Sequence, residues 1–428
     1  MARNKHKATR MAAIPVAMAV AAALGWAAVG MPGWASEEQA EKKAPPAAAV
    51  TTPPVACDQQ DGSNKGWYQP VYVHRAGKDP AAGVKSVRHI MWSADQIFEA
   101  SAKRFGQGDS RRLRFVQDKD CQIDVMSVAV DGLPGRPSFP QARMKAEAAV
   151  AAEIRKAPAA VKKRFKRTRP VYFFDTKPRG CGVATTPKAR LRSSMFRGRA
   201  AVSWGCATVP AVTHEMVHQF GVSHCDNKRD QGGDPICRGY DRTPRCGDLM
   251  ANVFLDCAKD EFSYFRPRPE AGSMLAKRPG YNLANSPYLI KDQPAPALEM
   301  RLAGKRGGVC LGRGEGDSVV QQDCGSGDKQ VWSRAIGKDG YLTVALKGTD
   351  KCLTAPSGKS KTALTTCEAG DKRQEWWMPS GRGNGADVYQ LVNRETRKPL
   401  RIEGKGEGAS VAPSGRGPAA GFRMLLTK

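Results

Sequence analysis

Beyond residue 30 the chain has no apolar run long enough to cross a bilayer, which excludes a bundle of membrane-spanning helices. Its twelve cysteines include no Cys-x-x-Cys pair. They are scattered and even in number, and outside the cytosol their expected use is in disulfides. Histidine is scarce, with six residues in 428, so any cluster of them is informative. Acidic residues are also in deficit, 41 against 68 Lys and Arg, for a formal charge of +27. Such a charge favours anionic partners without selecting one. What is present is an ordinary globular composition, 41% hydrophobic, in a chain long enough for two or three cores.

The N-terminus carries a basic stretch from Arg3 to Arg10, an Ala-rich apolar run over 11–30, and small residues Gly33 and Ala35 before a cut after Ala35. This is the grammar of a signal peptide, expected over 1–35, and it predicts a secreted protein with no membrane span after cleavage. Removing it leaves a charge of about +23. Residues 36–56, rich in Ala, Pro, Glu and Thr, read as a flexible linker. The densest basic run, Lys162, Lys163, Arg164, Lys166, Arg167 and Arg169, reads as a solvated helix end and loop.

From Cys57 the pattern is globular. A strand is expected over 67–74. A helix is expected over 86–105, where Val87, Ile90, Met91, Ala94, Ile97, Phe98, Ala102 and Phe105 recur at helical spacing between Ser86 and Gly106 as caps. Strands over 113–116, 123–130 and 171–174 and a helix over 141–157 complete an alternation that predicts a sheet with packed helices. The composition shifts to Pro and Ala near 286–296, read as a linker between a domain over 57–285 and a second over 297–428.

Three of the six histidines fall within eleven residues: His214, His218 and His224. On a helix, residues four apart share a face, so His214 and His218 reach one ion together. Val209, Val212, Met216 and Phe220 take the opposite, core-facing side. Thr208 and Pro210 suit the first turn. Gly221 permits a sharp turn that returns His224 as third ligand. Three neutral imidazoles leave a fourth tetrahedral position for water, the arrangement of a catalytic Zn2+ site. Glu215, beside the first ligand, is placed to take a proton from that water and pass it to a leaving amine. His6, His74 and His89 have no such partners in sequence. Asp226, Asp230, Asp234 and Asp241 match no standard calcium loop and read as solvated. Cys246, in Pro244-Arg245-Cys246-Gly247, reads as a disulfide former.

The pattern His214-Glu215-x-x-His218-x-x-Gly221-x-x-His224 resembles the metzincin clan of zinc peptidases. The resemblance implies a twisted mixed sheet with helices and a methionine floor beneath the metal, for which Met250 is the candidate. Asn252 stands where some members place a tyrosine ligand, so no such ligand is expected. It also implies an edge strand along the cleft that pairs with an extended peptide. Residues 199–207, with alternating Ala201, Ser203 and Gly205, are the candidate for that strand.

The last part of the chain repeats. Cys310-Leu311 recurs as Cys352-Leu353, Cys324 as Cys367, and Gln330-Val331-Trp332 as Gln374-Glu375-Trp376. A weaker third unit starts at Pro399-Leu400 and has Phe422 in place of tryptophan. These units resemble the ricin B-type β-trefoil lectin domain, which implies bonds Cys310 to Cys324 and Cys352 to Cys367. The pairing of the other eight cysteines is open. In such lectins an aspartate two residues after the first cysteine grips sugar hydroxyls. Gly312, Thr354 and Arg401 stand there, so the module is expected either to bind glycan or to hold an anionic cell-surface polymer.

The expected protein is therefore α+β followed by an all-β trefoil. It is read as a secreted zinc-dependent endopeptidase acting on protein or peptide, with a lectin-like targeting module and no specific nucleic acid partner. The alternative is a surface or glycan-binding protein whose zinc site is inert.

Overall fold

The computed structural model describes residues 52–58, 65–132, 137–176, 178–185, 198–224, 234–236, 254–256, 263–296, 298–305, 308–325, 327–357, 361–381, 385–403, 408, 410–413 and 421–427. The expected signal peptide 1–35, Met250, Asn252, Asp226, Asp230, Asp241, the segment 244–247 and Cys225, Cys237 and Cys257 lie outside the described residues.

The N-terminal body begins with β1 (Trp67–His74), as its sequence predicts, and α1 (Ala81–Phe105). Then come β2 (Arg111–Leu113), β3 (Met126–Ala129), α2 (Phe139–Lys156), α3 (Ala159–Phe165), β4 (Thr168–Phe174), β5 (Gly182–Ala184), β6 (Ala200–Ser203) and α4 (Val209–His218). The sheet order is β3-β1-β4-β6-β5, parallel except for β5, which runs antiparallel to β6. Alternation along β4 decides the two faces. Val171 and Phe173 join the core under α1 and α4, while Tyr172 and Phe174 join a second core under α2 with Phe139, Ala142, Ala146 and Val150. With helices on both faces, the central strands β1 and β4 are buried throughout.

Several expectations need correction. Helix α1 starts five residues before Ser86, after Pro80. Ser86 lies inside it and donates its hydroxyl to the Ala82 carbonyl, so it is no cap. Of the expected linker 36–56, residues 55 and 56 are buried and adjoin the Cys57–Cys121 disulfide. Of the expected linker 286–296, Tyr288, Leu289 and Ile290 are buried, and β7 (Leu289–Lys291) pairs with β2. Arg169 does not belong to a solvated basic run. It is buried in β4, its guanidinium 4.2 Å from the Phe220 ring centroid and 3.9 Å from that of Tyr288. Stacking on two rings lets this cation sit in the core.

Among the described residues the C-terminal body is one twelve-stranded sheet, from β8 (Leu298–Gly304) to β19 (Phe422–Leu426). Its repeats are visible as geometry. The hairpins 309–313/319–323, 351–354/363–366 and 400–403/410–413 are antiparallel and equivalent. The first two are closed by Cys310–Cys324 and Cys352–Cys367, as the resemblance implies. Trp332 Nε1 donates to the Leu311 carbonyl (2.9 Å), and Trp376 Nε1 donates to that of Leu353 (2.8 Å). Gln330 donates to the Asp323 carbonyl and accepts from Gly325 N–H; Gln374 donates to the Thr366 carbonyl and accepts from Glu368 N–H. The Gln-x-Trp ending is thus a clamp: the amide fixes the hairpin end and the indole fills the core with its N–H satisfied. Phe422 is buried in the third unit, without a donor of its own.

The two bodies share α1. Its apolar stripe faces the sheet and α4. Its other side is also buried, against the trefoil: His89 Nδ1 lies 2.8 Å from the Tyr389 hydroxyl, Trp92 meets the Tyr389 ring edge-on, and Gln96 accepts from Arg334 Nη2 at 2.7 Å. Gly340, with φ +85°, lies where a Cβ would come within 2.5 Å of the Ala100 carbonyl oxygen, so only glycine lets the trefoil approach the helix.

Candidate metal centre

Helix α4 carries the site. Thr208 accepts from Ala211 N–H at its start, and Pro210 occupies the first turn. Val209, Val212, Met216 and Phe220 are buried as their spacing predicts. Gly221 follows with φ +85°, and the chain reverses there. The turn returns His224 to the other two rings.

The Nε2 atoms of His214, His218 and His224 lie 3.0, 3.1 and 3.2 Å apart pairwise. The opposite ring nitrogens fix the tautomers. His214 Nδ1 lies 2.6 Å from the Pro235 carbonyl oxygen and His218 Nδ1 2.7 Å from that of Val222. A carbonyl only accepts, so both rings carry their proton on Nδ1 and turn an Nε2 lone pair inward. Inward lone pairs this close repel unless a cation lies between them. Three ligands at Zn–N distances of about 2.0–2.1 Å in a tetrahedron would be about 3.3 Å apart, so the donor set fits zinc. Burial lowers the pKa of His214 and takes that of His218 down to about 4, which keeps both rings neutral and able to ligate.

Glu215 lies beside the triad and is 8% exposed. Burial pushes its carboxyl up to about 8. Gly182 makes the space: a Cβ there would lie 2.5 Å from Glu215 Oε1. The cleft has a volume of about 420 Å³ and is lined by Gly182, Val183, Ala184, the three histidines, Glu215 and Ser223.

The strand along this cleft is not the expected one. Ala201 and Ser203 lie in β6, buried between β4 and β5, and Gly205 is in a single 3-10 turn before α4. Among the described residues the edge strand at this end of the sheet is β5, whose three residues line the cleft. The Cys181–Cys206 disulfide ties the start of β5 to the turn that leads into α4.

Sequence reasoning missed the support behind His214. The Pro235 carbonyl is presented by a tight turn in which Asp234 Oδ1 accepts from Ile236 N–H. The same oxygen accepts from the Tyr264 hydroxyl at 2.8 Å, and that hydroxyl accepts from Asp256 N–H at 3.0 Å. Asp234 is fully buried, so it is not solvated as expected. No local signal links Asp234, Asp256 and Tyr264, because the contacts span 30 residues.

Residues 299–414 match the ricin-type beta-trefoil lectin domain family. The C-terminal body is a ricin-type β-trefoil domain. Among solved structures, the trefoil is similar to the designed threefold-symmetric protein ThreeFoil, at 24% identity and a TM-score of 0.26, covering 29% of this chain and 96% of that one. It is also similar to the hemolytic lectin CEL-III, at 20% identity and a TM-score of 0.24, covering 29% of each chain. A third is a GlcNAcα1-4Gal-releasing endo-β-galactosidase from Clostridium perfringens, at 14% identity and a TM-score of 0.27, covering 31% of this chain and 33% of that one. No curated protein matches the chain.

Gly312 and Thr354, two of the three positions at which the resemblance expects an aspartate, are packed within their own hairpins. A Cβ at Gly312 would lie 2.7 Å from Gln322 Oε1 and 3.0 Å from Gln330 Cγ. Thr354 is buried, its hydroxyl 2.7 Å from that of Thr365 and 3.0 Å from the Cys352 carbonyl oxygen. Neither offers a carboxylate to a ligand.

Proposed function

We infer that the protein is an exported, metzincin-like zinc endopeptidase held at its place of action by the trefoil. The observation that carries this reading is the convergence of three Nε2 atoms beside Glu215 in an open cleft. The family match begins at residue 299, so the reading of residues 57–285 rests on this site and on its resemblance to the clan.

His214, His218 and His224 would hold the ion. Zinc there would supply Lewis acidity, polarising a carbonyl and acidifying water. Glu215 takes the proton from the attacking water and returns it to the leaving amine. Burial favours the protonated carboxyl, the form that delivers the proton to the leaving amine in the second half of that task. β5 would offer a backbone edge to an extended peptide, which would add as a further strand and lay its carbonyl over the histidines. Val183 and Ala184 have small side chains and leave the cleft open on that side.

The four disulfides among the described residues fit an extracellular protein, and no described helix is long and apolar enough to cross a membrane. For the trefoil, the lectin family match supports a glycan, and the basic chain together with the missing carboxylates at Gly312 and Thr354 supports an anionic surface polymer. Polyanion binding that falls steeply with salt supports the polymer; salt-independent binding contradicts it.

The test of the enzyme is casein cleavage after chelation and after zinc is restored. Activity should vanish with chelator and return with zinc. Glu215→Ala should retain zinc and lose about 100-fold or more of the rate. Cleavage that survives full zinc removal would leave an inert metal site on a binding protein.

A further inference from the structure

A second cavity, of about 220 Å³, lies where α1, residues 294–296 and the strand β11 (Trp332–Ile336) of the trefoil meet. It is far smaller than the cleft over the histidines and shares no residue with it. Two buried arginines line it. Arg112 is 1% exposed, and its Nε and Nη2 donate to Asp95, but Nη1 has no hydrogen-bond partner. Arg334 is 8% exposed; its Nη2 donates to the amide oxygen of Gln96, and its guanidinium lies 4.9 Å from the Trp92 ring. Among the described residues no carboxylate forms an ion pair with Arg334.

The charges do not balance. Lys103, Arg112 and Arg334 face Asp95, which is taken by Arg112, and Glu99, which lies 3.8 Å from Lys103 and accepts from Ser110. One cation, that of Arg334, has no ion pair of its own among the described residues: it meets the Gln96 amide and the Trp92 ring, with Tyr389 and the already paired Asp95 at longer range. Burial and the neighbouring Arg112 bring its pKa down to about 10, so it remains charged at neutral pH. Buried charges in proteins are normally paired, and guanidinium groups match carboxylates in geometry. The remaining walls, Leu298, Ile336 and the prolines of 294–296, are apolar. The volume falls below the roughly 300 Å³ at which sites for drug-sized ligands begin.

We propose that this cavity is a binding site for a small organic monoanion, a carboxylate whose charge is held by Arg334 and Arg112 Nη1 and whose apolar body rests on Leu298 and Ile336. Because helix and trefoil both line the site, the occupant fastens the two bodies together. It is a ligand of the junction, separate from the proteolytic reading.

The test is thermal unfolding of the full chain with benzoate, and with its uncharged isostere benzamide, at matched ionic strength. Benzoate should raise the midpoint saturably and benzamide should not. Arg334→Gln should weaken the benzoate effect about tenfold or more, the loss expected for one charge-assisted hydrogen bond. Ala335 is exposed at the mouth of the cavity, so Ala335→Trp should fold and block access even where Arg334→Gln does not fold. Equal shifts from benzoate and benzamide, no shift from either, or a benzoate shift unchanged by Ala335→Trp would each overturn the proposal.

Discussion

The two halves of the molecule use polar motif residues in opposite ways. In the trefoil every polar atom of the repeated motif is consumed internally: Trp332 and Trp376 spend their N–H groups on backbone carbonyls, and Gln330 and Gln374 clamp their own hairpins. In the N-terminal body His214 and His218 are each held from behind through Nδ1 and turn Nε2 toward a common point. A motif satisfied from within maintains a fold, and one held from behind with its front atoms convergent is arranged for a ligand. Both are equally conspicuous in sequence, and only their hydrogen-bond partners tell them apart.

That contrast can be broken by mutation. The largest effect should come from Trp376→Ala, which empties a fully buried site and should destabilise the protein by about 3–5 kcal/mol in denaturant titrations. His224→Ala, on an exposed ring, should change the stability of the metal-free protein by no more than about 0.5 kcal/mol. Equal losses from the two would erase the distinction. Next, His218→Ala should weaken zinc binding by more than the roughly 100-fold that marks the upper end for supporting residues, read by competition with a chelating dye.

The junction gives a pH-dependent effect. Burial lowers the pKa of His89 to about 4, below its ordinary 6.5. The unfolded chain therefore takes up the proton first as pH falls. The stabilisation is complete above pH 6.5 and is lost as pH drops toward 4, by at most about 3 kcal/mol. His89→Gln should flatten that slope in unfolding curves at pH 7 and pH 4.5, and a slope unchanged by the substitution would place His89 outside the titrating set. The smallest effect is that of Tyr264→Phe, which removes the hydroxyl bracing Asp234 behind Pro235 and His214. Zinc affinity should fall about tenfold with the circular dichroism spectrum unchanged.

What could be read from the sequence was what is local. The histidine cluster, the core side of α4, the stop at Gly221 and the repeat-internal disulfides all depend on spacing within a few turns or one hairpin. Non-local pairing was not legible. Residues 199–207 alternate as an outer strand should, but the three-residue β5, with Gly182 in it, takes the outer place because β6 is claimed on both sides. Likewise the second side of α1 carries His89, Gln96 and Glu99, which look like a solvated face until a second domain covers them. Arg169 reads as one of a basic run, and only the rings of Phe220 and Tyr288, distant in sequence, explain its burial.

The central claim is most directly tested by digesting a peptide library with wild type and Glu215→Ala at equal zinc content and identifying the new termini by mass spectrometry. The account predicts one zinc per chain in both proteins, internal cuts by the wild type, and almost none by the variant. Matching cuts from the two proteins, or a wild type that takes up no zinc, would contradict it.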